Sequence, residues 1–118
     1  MKDYCIDNIF KKSLEERKLY SQSLLNKYPD RVPIVIEPSG KETNVLVKNK
    51  YLMPRHLKIN ELMSIFRTSI KIDSKKAIFI FVNNNLVPMN DLVEDIYSKY
   101  KSNDGFLYIK YAYENTFG

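Results

Sequence analysis

The residue pair with the most direct chemical use is Phe117-Gly118, on which the sequence closes. A glycine carboxylate has no Cβ beside it, so it is sterically open to activation and acyl transfer, and glycine adopts backbone conformations that let it pass a narrow channel. Upstream, Phe106-Leu107-Tyr108-Ile109-Lys110-Tyr111 follows an Asn103-Asp104-Gly105 turn signal and alternates at the period of a strand. From Ala112 the alternation dissolves, so the seven residues Ala112 to Gly118 are expected to form a tail. Extended at roughly 3.3 Å per residue, such a tail carries the carboxylate about 20 Å from the body, far enough to enter another protein's active site. On these residues alone, a frayed or truncated end that happens to be glycine is the alternative.

Other chemistry is poorly supplied. Cys5 is the one cysteine and His56 the one histidine, which leaves no framework for a disulfide and a weak basis for cysteine-histidine catalysis or a metal site. Tyr4 and Ile6 beside Cys5 favour a small buried thiol in a reducing compartment. No apolar run approaches the roughly 20 residues that span a bilayer, so membrane attachment has to be acquired. The formal charge is +5, but acidic residues sit among the basic ones in nearly every segment, which argues against a nucleic-acid stripe.

The 118 residues suit one domain with a modest core. A short helix over 3–9 is expected, then a longer one over 10–25 whose apolar positions follow a helical stripe only loosely, with Ser13 and Glu16 as a capping-box pair. Pro29 ends the helical region. Residues 31–37 read as a strand with a proline near its start, Pro38-Ser39-Gly40 as a turn, and 45–47 with 50–53 as the second strand of a hairpin. Ile59, Leu62, Met63, Ile65, Phe66 and Ile70 form an amphipathic helix that Asn60 would cap. The continuous apolar run Ala77 to Val82 reads as a central strand buried on both faces. Asn83-Asn84-Asn85 breaks it, Leu86-Val87-Pro88 makes a short strand, and Asn90 or Asp91 caps a helix carrying Leu92, Val93, Ile96 and Tyr97. Residues 106–111 close the domain. This order describes an α+β, ubiquitin-like β-grasp preceded by two N-terminal helices: a helical extension over 1–27, the β-grasp over 28–111 and a flexible tail over 112–118.

Three blocks go beyond fold analogy: Lys27 to Val35 (KYPDRVPIV), Lys50 to Pro54 (KYLMP) and Phe79 to Asn84 (FIFVNN), followed by Phe106-Leu107-Tyr108-Ile109 and an aromatic-glycine end. In order and spacing they resemble the ubiquitin-like autophagy modifiers, the family of the GABA-receptor-associated protein and microtubule-associated light chain 3. The resemblance covers about residues 24–118. It implies a protein tag with no enzymatic activity or cofactor of its own. An E1-like enzyme would activate the Gly118 carboxylate, an E2-like enzyme would carry it as a thioester, and the acceptor would be the amine of phosphatidylethanolamine. Many members carry residues beyond the glycine that a cysteine protease removes. For a chain ending at Gly118 that protease would serve only for delipidation. The implied location is cytoplasmic, and on autophagosomal membranes after lipidation. Glycine-ended forms also resemble those of plastid-bearing parasites, where a plastid membrane is a further destination.

The same resemblance implies that extended peptides of the form aromatic-x-x-aliphatic, with acidic flanks, add to the edge at Lys50-Tyr51-Leu52. Carried over by position, the aromatic pocket would be lined by Leu24, Pro33, Val35, Lys50, Leu52 and Phe106. The aliphatic pocket would use Tyr51, Met53, Pro54, Leu57, Leu62 and Ile65, and Arg31, Lys48 and Lys50 would attract the acidic flank. Each apolar residue, taken alone, reads more readily as core than as pocket; their convergence on one edge is what favours pockets. Leu62 stands where a larger aromatic is usual and Ser69 where a basic residue is usual, so the second pocket is expected to accept a different peptide set. Lys58 replaces a hydroxyl at the helix start, which would move that start to Asn60. His56 reads as an exposed loop residue. A ubiquitin-like peptide-binding adaptor that is never conjugated is the alternative function, and a basic nucleic-acid binder is disfavoured because packing already explains the aromatic positions.

Overall fold

The computed structural model describes residues 13–38, 50–70 and 77–113. The expected helix over 3–9, Cys5, the segment 45–47, Lys48, Ser39-Gly40 and Gly118 lie outside the described residues.

Helix α1, Leu14–Lys27, opens on the capping box: the Glu16 N–H donates to Ser13 Oγ at 3.2 Å and the Ser13 N–H to Glu16 Oε1 at 3.1 Å. It stops at Tyr28, before Pro29. Strands β1 (Arg31–Pro38) and β2 (Lys50–Pro54) pair antiparallel, with Pro33 opposite Leu52 and Val35 opposite Lys50. Helix α2 (Ile59–Ile70) follows, then β3 (Ile78–Val82), β4 (Asn85–Leu86), α3 (Val93–Tyr100) and β5 (Leu107–Tyr113). The sheet order is β2-β1-β5-β3-β4, with β1 and β5 parallel. This mixed sheet with a crossing helix is the ubiquitin-like β-grasp that the order of elements predicted.

Side chains alternate across the sheet, and the alternation builds two unequal layers. Val32, Ile34, Ile36, Tyr51, Met53, Ile80, Val82, Leu107, Ile109 and Tyr111 face the apolar stripes of α2 and α3, and with Ile59, Leu62, Phe66, Val93 and Ile96 make the main core. Phe66 meets Tyr111 edge-on, with ring centroids 4.7 Å apart. On the opposite face α1 covers a smaller cluster of Leu24, Val35, Leu52 and Phe106.

Four expectations are corrected. The apolar run 77–82 is an interior strand, with β5 on one side and the short terminal strand β4 on the other, but it is not buried on both faces. Only alternate residues of β3 are buried, with Phe79 37% exposed and Phe81 half-buried. An unbroken apolar run does not report which strands will flank it, and the parallel pairing of β1 with β5 takes the centre. The short strand after the asparagines, which pairs antiparallel with β3, is Asn85–Leu86 rather than 86–88, because Asn83 and Asn84 (φ 51° and 66°) supply the two left-handed positions of a two-residue turn. The helix starts are held differently from expectation: at α2 Glu61 Oε1 accepts from the Lys58 N–H at 2.9 Å, and loop backbone carbonyls meet both helices. Asn60 is the second residue of α2, and no side chain caps α3. The loop carbonyls of Asp91 and Met89 accept from the Ile59 and Asn60 N–H groups (2.9 and 3.0 Å), and those of Leu57 and Arg55 accept from Val93 and Glu94 (2.7 and 3.1 Å). Finally, Ala112 and Tyr113 belong to β5, opposite Phe79 and Ile78, so the strand runs two residues past the expected start of the tail.

Candidate peptide-docking edge

β2 is a terminal strand of the sheet, and its alternation divides the expected site residues into two sets. Lys50 and Leu52 stand on the α1 side, directly across the ladder from Val35 and Pro33. These four lie on one face with Leu24, brought down from α1, and Phe106, from the turn before β5. Tyr51 and Met53 stand on the other face, across from Ile34 and Val32, where Leu62 joins them and Leu57 and Ile65 pack from the margin. Pro54 ends the strand half-buried. One edge therefore has both groups at hand, one on each side, as an extended peptide with alternating side chains requires.

The sets differ in how far they are open. Tyr51, Met53 and Leu62 are 2% exposed or less and serve as core, whereas Leu57, Ile65 and Pro54 are half-buried at the surface. Leu24, Val35, Leu52 and Phe106 are 8%, 0%, 3% and 0% exposed, so the aromatic-side cluster is filled by its own packing. Lys50 is buried at the edge of that cluster, and desolvation lowers the pKa of its ammonium against the opposing pull of the Glu37 carboxylate. Arg31 is half-buried, with its guanidinium 5.8 Å from the Tyr28 ring centroid, a cation–π contact beside the cluster's tyrosine rim.

Sequence reasoning missed the residues that hold α1 in place. The Asp104 carboxylate, 2% exposed, accepts from Arg17 Nε–H at 3.0 Å, from the Phe106 N–H at 2.9 Å and from the Tyr108 hydroxyl. The Ser21 hydroxyl donates to the Asp104 carbonyl at 2.6 Å. Burial first, and then the hydrogen bond to Asp104, push the Tyr108 hydroxyl well above its ordinary pKa. Asn103-Asp104-Gly105 was legible only as a turn; a buried partner for its carboxylate has no local signature. Gly105, at φ +87°, completes the contact, since a Cβ there would lie 2.2 Å from Ser21 Oγ.

His56 is exposed as expected, with Nδ1 3.2 Å from Glu94 Oε2. Among the described residues no group of side chains could hold a metal ion, and no helix is long and apolar enough to cross a membrane.

Known proteins with this arrangement agree with one another. The sequence model of the family described as "Autophagy protein Atg8 ubiquitin like" matches residues 16–118. Autophagy-related protein 8 of Schizosaccharomyces pombe is 45% identical over 107 residues, covering 90% of this chain and 88% of that protein. Autophagy-related protein 8e of Arabidopsis thaliana is 43% identical over 114 residues, covering 96% and 90%. Among solved structures, that of Trypanosoma brucei ATG8 superposes with a TM-score of 0.84 at 32% identity, covering 92% of this chain and 97% of that one. Plasmodium falciparum Atg8 in complex with a P. falciparum Atg3 peptide gives 0.79 at 28% identity, covering 91% and 96%. With the β-grasp, the α1 layer and the two-sided edge in place, the chain belongs to the Atg8 family of ubiquitin-like autophagy proteins.

Proposed function

We propose that this protein is a ubiquitin-like modifier, joined through the Gly118 carboxylate to the amine of phosphatidylethanolamine, that gathers partners bearing aromatic-x-x-aliphatic peptides at the β2 edge. The observation that carries the docking half is the partition of the site residues by β2: Lys50 and Leu52 on the α1 face, Tyr51 and Met53 on the α2 face. A peptide added beside β2 would send alternate side chains to the two faces, its aromatic anchor to the Leu24, Pro33, Val35, Leu52 and Phe106 side and its aliphatic anchor to Pro54, Leu57 and Ile65. Such an anchor is worth about 2 kcal/mol or more when fully desolvated. Arg31, Lys48 and Lys50 would draw the acidic flank, adding to encounter rate and specificity.

Family membership and the geometry of β5 support the conjugation half. β5 ends at Tyr113, and the five residues from Glu114 to Gly118 reach about 17 Å if extended at roughly 3.3 Å each. The protein is a substrate in this chemistry and performs none itself. An E1-like enzyme activates Gly118, an E2-like enzyme transfers it, and a cysteine protease releases the lipidated form. The E2-like partner has a parallel in the Atg3 peptide bound to the Plasmodium relative. Two acyl chains, at about 0.8 kcal/mol per buried CH₂, would hold the domain stably on a membrane. Autophagosomal membranes are the proposed destination, with a plastid membrane as the second.

Intact mass after incubation with the activating and conjugating enzymes, ATP and phosphatidylethanolamine vesicles tests the proposal. A lipid-sized gain on the full chain and none on a Gly118-deleted chain is expected. No gain on either, with enzymes active on another substrate, would leave the non-conjugated adaptor as the function.

A further inference from the structure

α1 meets the body through the Arg17 and Ser21 bonds to Asp104, through Leu24, through the Tyr20 ring 6.2 Å from that of Phe106, and through Leu25 against the main core. Ser21 and Leu24 are its buried residues, and Arg17, Ser21 and Leu24 share one side of the helix at i, i+4 and i+7. Arg17 and Ser21 both end on Asp104, one on its carboxylate and one on its carbonyl. The same carboxylate holds the Phe106 N–H and the Tyr108 hydroxyl. Leu24 and Phe106 belong to the aromatic-side cluster, against which Tyr20 and Tyr108 pack. A single buried residue thus bonds twice to the helix that roofs the cluster, and also to the residue before β5 and to the second residue of β5 beneath it.

That cluster is closed, with no member more than 8% exposed. An incoming aromatic ring needs room, and the elements around the cluster are not equally free to give it. β1 is held by ladders on both sides, and β2 is held to β1. α1 has no ladder. We infer that Asp104 is the latch that sets access to this cluster, with Arg17 and Ser21 as positioning residues that keep α1 shut over it. The inference rests on the proposed docking edge and names what regulates it. If the closed form dominates, apparent peptide affinity is lowered in proportion to the open fraction, and loosening the latch raises it. The gain is larger for a larger ring, which requires a wider parting.

The opening has its own signature. A helix of 14 residues is marginal alone in water, so α1 parted from the sheet loses backbone protection. The test uses the full chain and two variants, Arg17→Gln and Ser21→Ala, each measured for amide hydrogen exchange over 14–27 and for binding of acidic peptides carrying Trp-x-x-Leu or Phe-x-x-Leu. Faster exchange in α1 with β1 and β5 unchanged is expected, together with binding of the Trp peptide about three- to tenfold tighter and a smaller gain for the Phe peptide. Unchanged exchange in both variants overturns the latch whatever the peptides do. Raised exchange with unchanged or weaker peptide binding overturns its control of the site. If no chain binds either peptide although exchange rises, the docking edge fails and the coupling falls with it, while the attachment of α1 through Asp104 stands.

Discussion

On the α2 and α3 side of the sheet, Ile34, Tyr51, Phe66, Ile109 and Tyr111 are all 2% exposed or less, and the two helix starts are clamped by each other's loop carbonyls. On the α1 side four apolar residues are ringed by tyrosines, and the Arg17 and Ser21 bonds that fix the helix above them converge on one residue, Asp104. The first layer is held by burial spread over many side chains, so no small displacement relieves it. The second rests on a few directional contacts, each of which can be broken separately. The difference assigns stability to one face and adjustability to the other.

The comparison can be broken most directly at Phe66. Phe66→Ala removes a fully buried ring from the edge-on contact with Tyr111 and should cost about 3–5 kcal/mol, read as a lower urea midpoint for the whole domain. Leu24→Ala on the α1 face should cost about 2 kcal/mol, at the low end for a leucine because the cluster is small, and should appear first as hydrogen exchange in α1. An equal loss of global stability from the two changes would mean that the faces are energetically alike. Gly105→Ala should cost about 1–3 kcal/mol, since the methyl group would meet Ser21 Oγ and the backbone sits at φ +87°. Its melting curve should shift modestly while α1 loses protection; a shift with α1 protection intact would place the strain in the turn alone.

The smallest effect is a pH dependence. Burial and the bond to Asp104 raise the Tyr108 pKa above its ordinary value of 10.0, so above that pH the unfolded chain gives up a proton that the folded protein keeps. The stability contributed is fully present below pH 10.0 and declines as pH rises further. Tyr108→Phe should flatten the decline seen in urea titrations above that point. Tyr97, raised chiefly by burial and donating its hydroxyl to the Gly105 carbonyl at 2.7 Å, would account for the slope that remains.

The same contrast decides what the sequence could reveal. Ile59, Leu62, Met63 and Phe66 recur at the helical period, and the face they form is the one that meets the sheet. In α1 no such stripe exists: Leu14 and Leu19 are 41% and 70% exposed, and the helix announces itself through Ser13 and Glu16 at its start. Its attachment depends on an aspartate 87 positions from Arg17, a separation that no local pattern encodes. The run 77–82 was legible as a strand from its composition, but its neighbours were not, because strand order is a property of the whole sheet. The edge residues were legible through the family resemblance, and alternation along β2 then explains why Lys50 and Tyr51, adjacent in sequence, serve opposite faces. Their burial was not legible, since a pocket residue and a core residue have the same composition.

β5 lies in the middle of the sheet, parallel to β1 on one side and antiparallel to β3 on the other, and ends five residues before Gly118. With Gly118 joined to a lipid as proposed, a pull from the membrane would run along this strand and load both ladders in shear, so that many hydrogen bonds resist at once. A peptide added beside β2 would be held by one ladder rather than two. If both halves of the proposed function hold, tension between membrane and bound partner would release the partner before it broke the central strand.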